Sequence, residues 1–414
     1  MLSIFKVLRD ACFIDIFDLN WDISSEDINQ VRLTKSGKYG FFEGVARYFY
    51  HIITSVLYLK FSISTFKEKV IILSGTKNQL RALSKLKNIG ELVEFGTYSN
   101  SLRNNSFEAY PYLVSLIFVP VYFFKLVTER NAFKRKMLIC RADRYIFSYG
   151  LYTFYSYVMN SRNTNLIILA NDHSVWQRCA LLVAQSKKIK VAYVQHANVS
   201  EYFPSLNFDY AFLDGKYAES VYKVSPKCKV YKVGCLRFED FYFHNENVNI
   251  TKRTGLLICF NKTDTEEEIF RVVNECINKF KGEIGIRFHP SDSRSSNYSV
   301  LMAQSNITNE THSDLGHVLG KYAYCYAGMS SIFLEASLSG MKCFTISSEY
   351  YDYYGFQRDK IIRVFQSWDD LDFASLKESV QEASYLYNCY QIDDGNVISP
   401  SNSIKKILRA DGCI

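Results

Sequence analysis

From Leu166 onward, short apolar runs alternate with helix-spaced stretches, and each run stops on polar residues. Leu166–Ala170 (LIILA) ends on Asn171-Asp172-His173-Ser174 and is followed by a helical pattern over Val175–Gln185. Val191–Gln195 ends on His196-Ala197-Asn198, Asp209–Leu213 on Asp214-Gly215-Lys216, and Val230–Val233 on Gly234. A polar, aperiodic stretch, Phe241–Thr254, interrupts the rhythm. It then resumes with Leu256–Phe260, which ends on Asn261-Lys262-Thr263, a helix over Asp264–Phe280, and the alternating stretch Glu283–Asp292. A short helix at Ser313–Gly320, a strand at Tyr322–Tyr326, a helix at Ser331–Ser339 and a strand at Cys343–Ile346 continue the pattern. Strands alternating with helices predict doubly wound, mostly parallel sheets, which bind ligands at the carboxyl ends of their strands. The expected fold is therefore α/β, with two Rossmann-like domains facing across a cleft. Their bounds are 1–240, a linker at 241–254, and 255–414, the last closed by helices at Leu376–Tyr387 and Ser401–Leu408.

The first 165 residues follow a less regular pattern. Phe41–Leu59 has the spacing of an aromatic helix, Val70–Ser74 that of a strand closed by Gly75, and a helix follows from Asn78. Leu92–Phe95 is a candidate strand, and Phe133–Asn160 carries helical spacing through Leu138, Ile146, Leu151 and Phe154. Between them Tyr110–Phe124 is almost wholly apolar and is followed by Lys125. It is shorter than the ~20 residues of a membrane span, and Pro120 interrupts it. Two readings stand: a buried helix of the first domain, or a face that dips into the inner leaflet.

Composition narrows the class. With 414 residues the chain is too long for one ordinary core. Six prolines and 19 glycines argue against long disordered linkers. The formal charge of +7, from 49 basic and 42 acidic residues, is mild. It suits an anionic substrate or lipid surface, and no nucleic-acid partner is expected. Eleven cysteines are scattered without a CxxC, several in apolar runs, and the start lacks a secretory pattern. The expected location is cytoplasmic, with a peripheral place on the inner face of the plasma membrane if the second reading of Tyr110–Phe124 holds.

The candidate chemistry sits at the strand ends. Pro290 cannot donate to a ladder, so the strand through Ile284, Ile286 and Phe288 leaves His289 at its carboxyl end, with Arg287 two residues earlier. Gly328-Met329-Ser330-Ser331 has the composition of a turn feeding a helix, where hydroxyls and N–H groups bind an anion, or where serine simply caps. Glu335, one turn on, reaches a ribose hydroxyl or remains a surface carboxylate. Asn261 and Lys262 end the neighbouring strand. Asp172, His173 and His196 should share one sheet edge and are candidate bases for deprotonating an acceptor hydroxyl. The alternatives are a helix cap for Asp172 and a satisfied buried histidine for His196. Asp370-Leu371-Asp372 is a DxD string in a polar loop and is better assigned to capping than to a metal. No ligand spacing for a metal site stands out, and no cofactor is implied. GxxxxGK[ST], GxGxxG and GxSxG are absent.

The His289-Pro290 pair and the Ser330-Ser331 pair, in the second of two α/β halves, resemble the HP and SS motifs of bacterial GT-B glycosyltransferases. They are most similar to enzymes using CMP-activated sialic-acid-like or Kdo-like sugars. That resemblance places His289, Pro290, Ser330 and Ser331 around the cytidine phosphate. The family's acidic D/E-D/E-G string is absent, and Asn171-Asp172-His173 is its nearest counterpart. A weaker similarity links Val194-Gln195-His196, Arg287-Phe288-His289-Pro290 and Gly328–Ser331 to the WHG, RxHP and DYSS motifs of CDP-glycerol and CDP-ribitol transferases. There His196 would be the base, but Gln195 replaces Trp, Ala197 replaces Gly, and Gly328-Met329 replaces Asp-Tyr. The resemblance implies an inverting, metal-independent transferase of surface-polysaccharide synthesis (capsule or O-antigen). Its partners would be a nucleotide-sugar donor and a glycan or lipid-linked glycan acceptor. A sugar-nucleotide epimerase of the same architecture, preferring uridine, and a non-catalytic nucleotide-sugar-binding protein are the other classes in view.

Overall fold

The computed structural model describes residues 4–25, 41–57, 66–94, 109–159, 163–239, 253–262, 264–289, 292, 298, 306–347, 352, 354–376, 391–393 and 396–414. Pro290, most of the expected linker and the expected Leu376–Tyr387 helix after its first residue lie outside them. The chain divides into two compact units. One comprises Met1–Asp214, Glu219–Arg237 and Tyr390–Ile414; the other comprises Phe238–Cys389 with Gly215–Ala218.

The first unit is built on six parallel strands: β1 (Val70–Ser74), β2 (Glu91–Glu94), β3 (Leu166–Leu169), β4 (Lys190–Val194), β5 (Tyr210–Leu213) and β6 (Lys229–Lys232). Their order is β2-β1-β3-β4-β5-β6. β1, β3 and β5 are buried along their whole length, which is why they appear in the sequence as continuous apolar runs rather than as alternation. Strand order reverses between β1 and β3, so the carboxyl end of β3 lies at a topological switch point.

Among the described residues, the link from β2 to β3 is built of helices. The expected helix over Phe133–Asn160 is two helices, Ala132–Cys140 and Ala142–Val158, broken at Arg141. Ala142–Val158 is almost wholly buried, because Ala109–Ser115 lies against it on one side and Val175–Ser186 on another. Gly150 makes this close approach possible: a Cβ there would run into the Pro111 carbonyl and the Ser115 backbone. The C-terminal helix, Pro400–Ala410, corrects the expected boundary of the second domain. Its Ile404 and Leu408 join the first unit's core, with Leu86, Tyr210 and Phe212.

The second unit holds β7 (Leu256–Phe260), β8 (Ile284–Phe288), β9 (Ile307–Asn309), β10 (Tyr324–Ala327), β11 (Lys342–Ile346) and β12 (Ile362–Phe365). All pair in parallel, in the order β12-β11-β10-β7-β8-β9, the doubly wound dinucleotide-fold order read from its far edge. The sequence pattern missed β9 and β12, whose short runs are only partly buried. Gly285 in β8 is required by packing: a Cβ there would sit 2.5 Å from the Tyr322 hydroxyl. That hydroxyl donates to buried Glu310 at 2.8 Å, which also accepts from Lys321 at 3.2 Å.

Candidate functional site

Two sets of polar side chains occupy the carboxyl edges of the two sheets. In the first unit, β3 delivers Asn171, Asp172 and His173, and β4, its neighbour, delivers His196. Asp172 is buried with both carboxylate oxygens engaged. Oδ1 lies 2.7 Å from His173 Nδ1, and Oδ2 accepts from the Tyr222 hydroxyl at 2.6 Å. Tyr222 in turn lies 3.0 Å from the Tyr193 hydroxyl. Burial alone would raise the Asp172 carboxyl, but the bonds from His173 and Tyr222 outweigh it and hold the group below the ordinary carboxylate range. An ionised Asp172 only accepts, so His173 donates through Nδ1–H and its Nε2 keeps a lone pair. That ring is oriented twice more. It stacks on Phe203 at 5.0 Å, and Asn171 Nδ2 lies 3.3 Å from Nε2.

The backbone under this pair is clamped from a distance. Arg178 donates to the Asp172 carbonyl at 2.7 Å and pairs with Asp18. The Asp22 N–H donates to the His173 carbonyl at 3.3 Å. Asn171 Oδ1 accepts from the His173 and Ser174 N–H groups, and Ser174, not Asp172, begins the next helix. The expected capping role of Asp172 is thus taken by its neighbours. Asp172 is buried with each oxygen holding one hydrogen bond, whereas the His173 ring it orients is partly exposed.

His196 differs from His173. Burial, then the charges of His173 and Arg237, push it down to about 3, so it is neutral through the working pH range. Its carbonyl accepts from Arg237 Nη1 at 2.8 Å, and Asn198 Oδ1 accepts from Arg237 Nη2 at 3.1 Å. In this short stretch His196 Nδ1, Asn198 Nδ2 and Ser200 Oγ are buried without a hydrogen-bond partner among the described residues. Gln195 ties the segment to β5, accepting from the Asp214 N–H at 2.9 Å.

In the second unit three adjacent strands, β10-β7-β8, bring their carboxyl ends together, and the strand order reverses between β10 and β7. Asn261 and Lys262 follow β7, His289 follows β8, and Gly328–Ser331 follows β10. Asn261 Nδ2 donates to the Met329 carbonyl at 3.1 Å, bridging the two loops at the switch point. Partial burial, then the ammonium of Lys262, pull His289 below its ordinary value, against the carboxylate of Asp292. Ser331 stands at the N-cap position of Ile332–Leu338 yet makes no capping bond, while Ser330 Oγ accepts only a long one, 3.4 Å, from the Ile332 N–H. Gly328 is not held by a positive φ. A Cβ there would meet nothing closer than Asp264 Oδ1 at 3.9 Å, so the space above its backbone is open.

Of two further expected members, Arg287 is occupied otherwise and Glu335 is half-buried. Arg287 Nη1 donates to the carbonyls of Glu310 and Ser313, at 2.5 and 2.8 Å, and so anchors the loop after β9. Glu335 is partly buried and leans toward the β7–β10 seam. It adds to the upward shift that a hydrogen bond to Cys325 and burial already give the Cys259 thiol. Asp370 and Asp372 accept from the Ser367 and Ala374 N–H groups, the capping role expected of them. Among the described residues no group of three His, Cys, Asp or Glu side chains converges as a metal site.

No protein-family model matches the chain, and no curated protein sequence matches it either. Solved structures do match in fold. S. aureus MnaA, determined with UDP, is 14% identical over 84% of this chain and 98% of that one, with a TM-score of 0.51. A Listeria monocytogenes protein assigned as a UDP-N-acetylglucosamine 2-epimerase is 13% identical over 84% and 96%, also at 0.51. The wall teichoic acid polymerase TagF is 10% identical over 90% and 97%; its TM-score of 0.45 is too low to build on. At these identities the likeness is one of fold: a GT-B-like pair of Rossmann-like units.

Proposed function

We propose that the protein is a nucleotide-sugar-dependent transferase in which the Asp172–His173 pair is the base. The observation that carries this reading is the orientation of His173. Its Nδ1 is bound to a buried carboxylate at 2.7 Å, which leaves Nε2 as the acceptor nitrogen, held by a long 3.3 Å contact from Asn171 Nδ2 that an acceptor hydroxyl would displace. In the proposed reaction His173 Nε2 takes the proton of an acceptor hydroxyl. The hydroxyl oxygen forms the new bond to the sugar as the bond to the donor's phosphate breaks, and the nucleotide leaves with that electron pair. Asp172 positions the ring and stabilises the imidazolium. His196, neutral and held near 3, is a far weaker base and is assigned with Asn198 and Ser200 to acceptor recognition.

The donor's phosphate is assigned to the second unit's edge, among Lys262, His289, Ser330, Ser331 and the open backbone at Gly328. Uncommitted hydroxyls and a lysine at a switch point suit a phosphate. The HP and SS motifs make a CMP-sugar the donor of first choice and surface polysaccharide the product class.

A second reading rests on the fold neighbours, one determined with UDP and one assigned as a UDP-sugar epimerase. An epimerase changes its substrate without any acceptor. Incubating the protein with CMP-, CDP- and UDP-activated substrates, each with and without a glycan acceptor, separates the two. The transferase reading expects nucleotide release that depends on acceptor and is lost in His173→Ala. Conversion of a UDP-sugar in the absence of acceptor would replace it with the epimerase reading.

A further inference from the structure

The first unit carries two neighbouring helices whose outward faces are apolar. In Phe41–Leu57 the inward stripe is Gly44, Tyr48 and Ser55, while Phe49, Ile53, Val56 and Leu57 (i, i+4, i+7, i+8) are exposed. Ala109–Thr128 runs helical for 20 residues, with a tighter turn at Leu116–Phe118. Its inward stripe is Pro111, Ser115, Phe118 and Tyr122. Its outward stripe is Leu116, Ile117, Phe123, Phe124 and Val127, the last two 72% and 75% exposed. Tyr48 and Ser115 share a 2.7 Å hydrogen bond and His51 stacks on Tyr112 at 4.7 Å, so the two helices lie side by side. Solvent-facing stripes this regular are the reverse of a soluble helix, whose apolar stripe faces the core.

The charge around them has one sign. Between 125 and 136 the chain carries Lys125, Arg130, Lys134, Arg135 and Lys136 against Glu129 alone. Glu129 is paired with Lys125 at 3.7 Å, and Glu43, on the other helix, with Arg47 at 3.2 Å. Arg130, Arg135 and Lys136 are exposed. We infer that this face docks on an anionic lipid bilayer, with both helices lying in the interface and the 130–136 bases on the headgroups. Apolar stripes rimmed by bases are what such an interface selects, and the basic rim favours it over an uncharged protein partner. Ala109–Thr128 has the length and composition of a span. However, Ser115 is bonded to Tyr48, and the Tyr122 hydroxyl donates to the Leu138 carbonyl at 2.9 Å. Crossing the bilayer would strip both contacts, so the helix lies flat. This docking is independent of the nucleotide reading above.

The test is flotation of the full chain with phosphatidylcholine vesicles, with and without phosphatidylglycerol. The unmodified protein should float with the anionic vesicles. Ile117→Ser with Phe124→Ser should abolish flotation while the melting temperature stays unchanged, since both side chains are exposed. Arg135→Glu with Lys136→Glu should weaken binding to anionic vesicles roughly tenfold or more. Flotation unaffected by either pair of substitutions would overturn the proposal. So would a failure of the unmodified chain to float, joined to a dimer in sedimentation that Phe124→Ser dissociates, since the face would then belong to a second copy.

Discussion

At the carboxyl edge of the first sheet both oxygens of Asp172 are bonded, whereas at the corresponding edge of the second sheet the Ser331 hydroxyl caps nothing and the backbone at Gly328 lies open. The difference matches two kinds of work. Moving a proton requires a group fixed in one tautomer and direction before substrate arrives, and Tyr193, Tyr222, Asp172 and His173 supply that order internally. Holding the proposed phosphate requires a donor that does not cap its own helix, and the Ser331 hydroxyl on the second edge meets that condition. A preassembled edge should fail through loss of rate; an open edge should fail through loss of binding.

The largest effect expected is on the first edge. His173→Ala removes the proposed base and should lower turnover by about 10²–10⁴. The melting temperature should fall as well, because the buried Asp172 carboxylate loses its 2.7 Å partner, so turnover is compared below the melting range of both proteins. Turnover near normal in that variant would return the base assignment to His196. Tyr222→Phe should act next and on stability as well. It removes one of the two bonds that lower Asp172, so that carboxyl's pKa rises and the fold loses about 1–3 kcal/mol, read from denaturant melts. Unchanged stability would show that Asp172 is less dependent on its tyrosine than the geometry implies.

On the second edge, Gly328→Ala should leave the fold intact, since the nearest atom to the new Cβ is 3.9 Å away. It should still weaken nucleotide binding roughly tenfold if phosphate approaches that backbone. Equal nucleotide affinity in calorimetry would place the phosphate elsewhere. The last prediction concerns His196 and is read only in the pH dependence of stability. Folded it titrates near 3, and unfolded near 6.5. Between those values the unfolded chain holds more protons, so stability falls as pH drops through the window, by at most about 1.4 kcal/mol per pH unit. His196→Gln should flatten that slope in melts between pH 4 and pH 6.5; an unchanged slope would assign it to other groups.

Legibility in the sequence followed the physics of each region. Between Leu166 and Ile346 the strands β3, β4, β5, β7, β8, β10 and β11 are largely buried and parallel, so apolar runs ending on polar residues mark both sheets and the edges where His173, His196, His289 and Ser331 lie. Tyr222 was invisible because it reaches Asp172 from fifty positions further on, and Arg178–Asp18 joins the site to a segment with no strand pattern at all. Periodicity marked Phe41–Leu57 as a helix but could not say which stripe faces in. The buried one is made of Gly44, Tyr48 and Ser55, and the more apolar one is exposed. The last helix was assigned to the wrong unit because only packing shows that Ile404 and Leu408 return to the first core.

The division of labour between the two edges is tested most directly by nucleotide-dependent thermal stabilisation, measured with CMP, CDP, UDP and GDP on four proteins: unmodified, His173→Ala, Ser331→Ala and His289→Ala. The account predicts that a cytidine nucleotide stabilises the unmodified and His173→Ala proteins equally, and that the effect is lost in the other two. Stabilisation that survives Ser331→Ala and His289→Ala but disappears in His173→Ala would contradict it.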